Sequence, residues 1–173
     1  MKAQRIDLSR LDLPSGGGRR IDTDVDLPAV ELSGERYAVL EAPTEARLDI
    51  SRTSSGWAVR LRFELTVSGR CARCLEDAPT ELTIDAREVE ASVSEDEELH
   101  SPYVSDDVLD LGLWARDALT LAMPAKYLCR PECPGLCGVC GEPLGDAGSD
   151  AQAHRHDQGG DPRWEKLRDL TVD

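Results

Sequence analysis

Aromatic side chains are scarce in this sequence of 173 residues, where phenylalanine, tyrosine and tryptophan together make up 4%. Surfaces that bind single-stranded nucleic acid usually stack bases on such rings. Basic side chains are also in the minority, because 20 lysines and arginines stand against 34 aspartates and glutamates and leave a formal net charge of −14. A surface of this sign repels phosphate backbones and attracts cations. The composition therefore argues against broad, sequence-blind nucleic-acid binding and favours cationic partners.

Long apolar runs are missing as well. No stretch approaches the roughly 20 apolar residues that a membrane-spanning helix needs. The opening MKAQRIDLSRLDLPSGGGRR lacks the uninterrupted apolar core of a signal peptide. We therefore expect a cytoplasmic protein without membrane contact. In that reducing compartment, clustered cysteines are more often metal ligands or redox groups than disulfides.

The motifs of common enzyme classes are also absent. The sequence contains no GxGxxG, P-loop, HExxH or nucleophile-elbow motif, and its carboxylates show no paired spacing that would suggest acid–base catalysis. We therefore expect neither an enzymatic activity nor a small-molecule substrate.

A core can be built from the 40% of residues that are hydrophobic. The run WAVRLRFELTV places an apolar residue at every second position from Trp57 to Val67, which is typical of a strand with one buried face. A shorter run, ARLDI, precedes it across a turn at residues 54–56, and TELTIDAREVEASV can return antiparallel beside it. These runs predict an antiparallel β-meander or open barrel.

One core helix is predicted over about residues 110–123. The run LGLWARDALTLAM carries its apolar residues on one face at helical spacing, Asp110 is suited to cap its start, and Pro124 ends it. The acidic stretch before it, residues 94–110, is predicted to be a solvated loop in which His100 is a surface histidine.

Three parts are expected along the chain. Residues 1–36 form a loosely ordered N-terminal arm, which either lays one or two strands on the domain or offers a basic contact patch at Arg19 and Arg20. Residues 37–128 form the β-rich core domain, and residues 129–173 form a cysteine- and histidine-rich tail that ends in the short helix PRWEKLRDL. The predicted fold class is α+β, mainly antiparallel β with one core helix and a zinc-stapled C-terminal segment.

The six cysteines come in close groups. Cys71 and Cys74 form a CxxC where the long strand should turn, and two thiolates at this spacing on a tight turn can reach one tetrahedral zinc. The run CRPECPGLCGVCG holds the other four, and the glycine after the last one tolerates the positive φ that such a turn often needs. Two imidazoles follow in AHRHD. The candidate ligands are Cys71, Cys74, Cys129, Cys133, Cys137, Cys140, His154 and His156.

Eight ligands suffice for two four-coordinate sites, and their pairing is open. The first alternative makes an all-thiolate site from Cys71, Cys74, Cys129 and Cys133, and a mixed site from Cys137, Cys140, His154 and His156. The second joins the two CxxC pairs as in a zinc ribbon and leaves Cys129 and Cys133 for a second or partial site. The third has uncoordinated thiols or a disulfide.

A metal would solve an energetic problem in the tail. Residues 124–161 contain few large apolar side chains, although ordering the backbone costs about 1–2 kcal/mol per residue. A structural zinc contributes about 10–16 kcal/mol in zinc-finger peptides. Because a closed four-ligand site leaves no position open for water, we predict one or two structural Zn²⁺ ions without a catalytic role.

Three segments resemble the YceD-like family, also called large ribosomal RNA subunit accumulation proteins: GRCARCLED at 69–77, MPAKYLCRPECPGLCGVCGEPL at 123–144 and DPRWEKLRDL at 161–170. The resemblance extends from about residue 37 to the end. Many members with the longer C-terminal motif carry a CxC before the terminal helix, where this chain has His154-Arg155-His156, and imidazole can replace thiolate at zinc. Other members lack the second half-motif, which favours the first pairing.

The resemblance implies a non-catalytic role in 23S ribosomal RNA accumulation or processing and in large-subunit assembly, as in bacterial and plastid members. Its implied partner is a small basic ribosomal protein or a large-subunit precursor, with RNA contact mainly indirect. One alternative is a thiol redox protein or redox-switched chaperone, although a redox CxxC normally precedes a helix rather than joining two strands. Another is direct RNA binding through a local basic patch at Arg60, Arg62, Arg70, Arg73, Lys126 and Arg130.

Overall fold

The computed structural model describes residues 4–91, 96 and 99–145. In this part of the chain it contains nine strands, one α-helix (α1, Leu111–Ala122) and a short 3-10 helix (Ser9–Leu11). The strands are β1 (Arg5–Asp7), β2 (Gly18–Val25), β3 (Val30–Leu32), β4 (Glu35–Val39), β5 (Thr44–Arg52), β6 (Trp57–Arg70), β7 (Asp77–Glu90), β8 (Val104–Ser105) and β9 (Val108–Asp110).

The main sheet has six strands, all paired antiparallel, and β6 is its central member. β7 pairs with β6 along the full fourteen residues of both strands. The opposite edge of β6 is shared, because β5 pairs with residues 57–63 and β4 with residues 67–68. β2 continues the sheet beyond β5, and β3 continues it beyond β4.

Alternation along β6 gives the sheet one buried and one exposed face. Every second residue from Trp57 to Val67 is buried, as the period of a pleated strand requires. Arginines and aspartates of neighbouring strands form ion pairs on the outer face: Arg20–Asp49, Arg47–Asp22, Arg60–Asp85 and Arg62–Asp49. Arg60 and Arg62, two arginines of the local patch considered as an alternative RNA-binding surface, are therefore already engaged with carboxylates.

Helix α1 supplies the other half of the core. The side chain of Asp110 caps it by accepting a hydrogen bond from the backbone N–H of Leu113 at 3.0 Å. Its apolar face buries Trp114 and Leu119, and the helix contacts β7, β1 and β2. The predicted fold class, mainly antiparallel β with one core helix, is confirmed for the described residues, and the expected terminal helix lies outside them.

The described part of the N-terminal segment, residues 4–36, contributes β1, β2, β3 and the first two residues of β4. β2 pairs with β5 over eight residues, and β1 joins β9 and β8 in a separate three-stranded sheet. Gln4 adds two hydrogen bonds to this segment, from its side-chain amide to the Asp24 carbonyl and from the Asp26 N–H to its side-chain oxygen.

The chain divides into two compact units, Met1–Cys129 and Arg130–Asp173. In the second unit, the described residues form a small turn structure closed by a single β-bridge between Leu136 and Pro143. No helix of the described residues is long and apolar enough to cross a membrane.

Candidate metal centre

The first CxxC turn, residues 71–76, lies at the tip of the β6–β7 hairpin. The backbone N–H of Cys71 donates to the Glu76 carbonyl at 2.8 Å, and the Leu75 N–H donates to the Cys71 carbonyl at 3.0 Å. The Arg73 N–H points to Cys71 Sγ at 3.4 Å. Leu75 has a φ of 62°, in the left-handed region that lets the chain reverse after the second cysteine. The turn thus brings the side chains of Cys71 and Cys74 to one side.

Tyr127 holds the segment after α1 against this hairpin. Its ring is buried, and its hydroxyl is hydrogen-bonded to the Val67 carbonyl at 2.8 Å and the Ala78 carbonyl at 2.5 Å, one on each strand. Its own carbonyl accepts the N–H of Ala72 at 2.8 Å, inside the first CxxC turn. These contacts place Cys129, two residues after Tyr127, at the tip of the hairpin.

Two of the thiols that meet there are at a separation suited to zinc. Cys74 Sγ and Cys129 Sγ are 3.8 Å apart. Sulfurs at two corners of a zinc tetrahedron with Zn–S near 2.3 Å are about 3.8 Å apart, whereas a disulfide would hold them at about 2.0 Å. None of the six cysteines, all of which are described, forms a disulfide.

Four sulfurs make up the cluster. The Sγ atoms of Cys71, Cys74, Cys129 and Cys133 all lie within 4.8 Å of one another, and no other group of three or more potential ligands in the described residues meets this condition. Cys71 and Cys133 are buried, Cys74 is half-buried and Cys129 is exposed. An all-sulfur donor set of four suits tetrahedral Zn²⁺ better than the hard cations, which prefer oxygen.

Backbone hydrogen bonds favour the thiolate form of one of these sulfurs. Burial on its own would raise the pKa of the Cys71 thiol, but backbone N–H groups of Cys74, Cys129 and Arg73, together with the Cys74 thiol, outweigh burial and lower that pKa from 9.0 to about 6. A thiol with this pKa is mainly thiolate at neutral pH, and the thiolate is the form that binds metal.

The second CxxC turn, residues 137–142, repeats three hydrogen bonds of the first turn. The Cys137 N–H donates to the Glu142 carbonyl at 2.8 Å, the Gly141 N–H donates to the Cys137 carbonyl at 2.9 Å, and the Val139 N–H points to Cys137 Sγ at 3.4 Å. Gly141, in the place of Leu75, has a φ of 75°. The backbone therefore forms the same kind of CxxC turn twice.

A protein-family model described as "Large ribosomal RNA subunit accumulation protein YceD" matches residues 59–171. The chain belongs to this family. It is 32% identical to uncharacterized proteins of Mycobacterium tuberculosis and Mycobacterium bovis over 171 residues, covering 95% of this chain and 80% of each relative. An uncharacterized protein of Mycobacterium leprae is 28% identical over 153 residues, covering 84% of this chain and 68% of the relative. No solved structure matches.

The resemblance to the YceD family is thus confirmed, and the structure places six of the eight candidate ligands. The cluster contains the cysteines of the all-thiolate site in the first pairing, while Cys137 and Cys140 lie in the second CxxC turn. His154 and His156 lie outside the described residues. His100 is exposed, as predicted, and its Nδ1 lies 3.1 Å from the buried carboxylate of Glu90.

Two residues that shape this cluster were missed by the sequence analysis. Tyr127 could have been suspected, because a tyrosine is rare in a chain with 4% aromatics and this one stands two residues before a cysteine. Leu75 gave no signal, since leucine seldom adopts a positive φ and only the position after a CxxC singles it out.

Proposed function

We propose that this chain is a non-catalytic ribosome-biogenesis factor that supports 23S ribosomal RNA accumulation or processing and large-subunit assembly in the cytoplasm. The family match over residues 59–171 carries the proposal, because the matched family is described by accumulation of the large-subunit RNA. Structural zinc maintains the shape of the protein, and an acidic surface binds its partner.

Zinc ligation by Cys71, Cys74, Cys129 and Cys133 is supported by the separation of their sulfurs and by the low pKa of the Cys71 thiol. Four thiolates close the coordination sphere, so the ion would supply structural cross-linking and no site for a reacting water. The chain's own residues contribute the preorganisation: Tyr127 positions Cys129, and the first CxxC turn directs its two sulfurs to one side.

A second zinc is proposed at Cys137 and Cys140, with His154 and His156 as the remaining ligands. The repeated hydrogen bonds of the second CxxC turn support it, because a turn that aims a backbone N–H at a cysteine sulfur is the arrangement that stabilises a thiolate. Around this turn the described chain offers little apolar side-chain burial that could hold it in place.

The partner is proposed to be a small basic ribosomal protein or a large-subunit precursor that presents one. A net charge of −14 favours a cationic protein surface and disfavours an isolated RNA backbone, so contact with RNA is mainly indirect. The ion pairs on the outer face of the sheet further reduce the positive charge available to phosphate.

A thiol redox activity has less support. The low pKa of the Cys71 thiol would suit a nucleophile, but Cys71 has no exposed surface. Reactive cysteines are reached from solvent, whereas this one lies at the end of a strand among backbone donors. Its environment fits a ligand.

Depletion of the protein in its host tests the function. We expect the ratio of 23S to 16S RNA to fall, and a tagged copy to sediment with large-subunit precursors in a salt-sensitive manner. Rescue should succeed with Ala72→Ser and fail with Cys74→Ser, two changes in the same turn of which only the second removes a ligand. Normal 23S levels after depletion, with the tagged copy present only as a free monomer, would overturn the proposal.

A further inference from the structure

Strand β7 ends the main sheet with a long edge. All fourteen of its residues pair with β6, and within residues 4–91 and 99–145 no strand pairs with its other side. Such an edge presents unpaired backbone N–H and C=O groups, which can accept another strand. The edge is therefore a template for a further chain.

A groove of about 420 Å³ runs beside this edge. One wall is formed by residues 83–88 of β7, and the other by Tyr103 and the α1 side chains of Trp114, Ala118, Leu121 and Ala122. Leu121 is 85% exposed, more than any other large hydrophobic residue of the described chain. The groove thus combines an unpaired backbone with an exposed apolar side chain.

The side-chain pattern of an incoming strand follows from the register of the sheet. Ile84 pairs with Phe63 and Ala86 pairs with Leu61, so these residues of β7 face the inner side, where α1 lies. Residues of an added strand opposite Ile84 and Ala86 would point to the same side. Apolar residues at every second position would therefore meet Leu121 and Ala118.

The charge of β7 selects the partner. The strand contains one basic residue, Arg87, and five acidic ones: Asp77, Glu81, Asp85, Glu88 and Glu90. Opposite charges on paired strands stabilise a sheet, and like charges directly across destabilise it. Asp85 is ion-paired with Arg60 and Glu90 is buried, yet the strand keeps an excess of acidic side chains at Asp77, Glu81 and Glu88. A second copy of β7 would bring the same excess of negative charge and a nucleic acid would be repelled, whereas a basic strand is complementary.

We propose that this groove binds an extended basic segment of a partner protein by β-strand addition to β7, with alternate apolar side chains of the segment packed against Leu121. The inference rests on the proposed function for the class of partner, a basic ribosomal protein, and adds the surface and the form in which that partner is held.

A short fluorescein-labelled peptide of alternating valine and lysine, titrated into the full chain, tests the groove by fluorescence anisotropy. Leu121→Glu should weaken binding about tenfold, which corresponds to about 1.4 kcal/mol. The matched control is Leu40→Glu, since Leu40 is also exposed, at 55%, lies outside the groove and adds the same charge. A peptide with its valines replaced by proline keeps the charge but cannot form a strand, and should also lose binding.

Amide exchange of β7 supplies the second measurement. We expect outward-facing amides of residues 80–88 to become protected only when the valine–lysine peptide is added. If Leu121→Glu and Leu40→Glu bind the peptide equally well, or if the proline peptide binds as well as the valine peptide, binding depends on charge attraction alone and the inference is overturned. Protection without peptide would also overturn it, because the edge would then be occupied by this chain or, if sedimentation equilibrium shows a dimer, by a second copy.

Failure of the groove can be separated from failure of the proposed function. If the peptide does not bind but depletion still lowers 23S RNA, the groove is wrong and the assembly role stands. If depletion leaves 23S RNA unchanged, the assembly role fails whatever the peptide does.

Discussion

The two CxxC turns have the same backbone and different surroundings. In each turn, the N–H of the first cysteine donates a hydrogen bond to the carbonyl of the residue five positions later, and the residue after the second cysteine has a positive φ. The first turn joins the fourteen-residue strands β6 and β7, and the buried Tyr127 hydrogen-bonds to both of them. The second is closed by one bridge, Leu136–Pro143, and its Cys140 is exposed.

This difference separates two ways of building a metal site. At the first turn, hydrogen bonds of the turn and of Tyr127 already place the sulfurs of Cys71, Cys74 and Cys129, so a metal would bind a largely preformed site. At the second turn, few described apolar contacts oppose the entropy of the chain, so metal binding and folding would be one event. The same local geometry should therefore show very different dependence on zinc.

Zinc removal should produce the largest effect. After treatment with a chelator under reducing conditions, we expect amides of residues 135–144 to lose nearly all protection from hydrogen exchange, while the paired amides of β6 and β7 keep most of theirs. The reason is that structural zinc contributes about 10–16 kcal/mol in small zinc-binding peptides, more than a turn of this size can replace. Hydrogen-exchange mass spectrometry makes the measurement, and equal loss in both regions would contradict the comparison.

The next largest effect is expected from removing a single proposed ligand from one turn or the other. Metal analysis of protein purified under reducing conditions should give close to two zinc ions per chain, and Cys74→Ser or Cys140→Ser should each remove about one. Val139→Ser is the control, because Val139 is exposed within the second turn and is not a ligand. Loss of both ions from Cys140→Ser would show that the second centre supports the first, contrary to the preformed site inferred here.

The sheet and the core helix were accessible to sequence reasoning for a physical reason. A half-buried strand alternates with period 2 and a helix with period 3.6, and both patterns are read directly in residues 57–67 and 111–122. Asp110 adds a local signal at the start of the helix, since a carboxylate there satisfies a backbone N–H.

Ligand pairing could not be read in this way. A CxxC spacing defines half a site, and the other half depends on where the chain runs after β7 and α1. That path is fixed by Tyr127, whose hydroxyl reaches carbonyls sixty and forty-nine residues away in sequence. Contacts between residues so far apart in sequence produce no periodic pattern. The sequence therefore left two ligand pairings open, whereas the structure brings four thiols together.

Tyr127→Phe should have an intermediate effect confined to the first turn. The change removes the buried hydroxyl shared by the Val67 and Ala78 carbonyls, which should destabilise the first unit by about 1–3 kcal/mol. Thermal denaturation would measure the loss of stability. A zinc-competition titration should show weaker zinc binding at the first turn and unchanged zinc binding at the second. Tyr37→Phe is the matched control, because it keeps the ring contact with Tyr127 at 4.9 Å. Equal destabilisation by the two variants would show that the Tyr127 hydroxyl does not anchor the segment after α1.

The smallest effect should come from exchanging the residues after the two CxxC pairs. Leu75 adopts a φ of 62° against the preference of its side chain, so Leu75→Gly should cost nothing in strain and stabilise the turn by up to about 1 kcal/mol, although glycine loses more entropy on folding. Gly141→Ala should do the opposite by about 1 kcal/mol, since no atom lies within 4 Å of the added Cβ and only the positive φ opposes it. Opposite signs in zinc-competition titrations of the two variants would establish that one backbone geometry serves both turns. Equal signs would mean that the side chain of Leu75 makes a contribution of its own, and that the first turn depends on it as well as on the sheet.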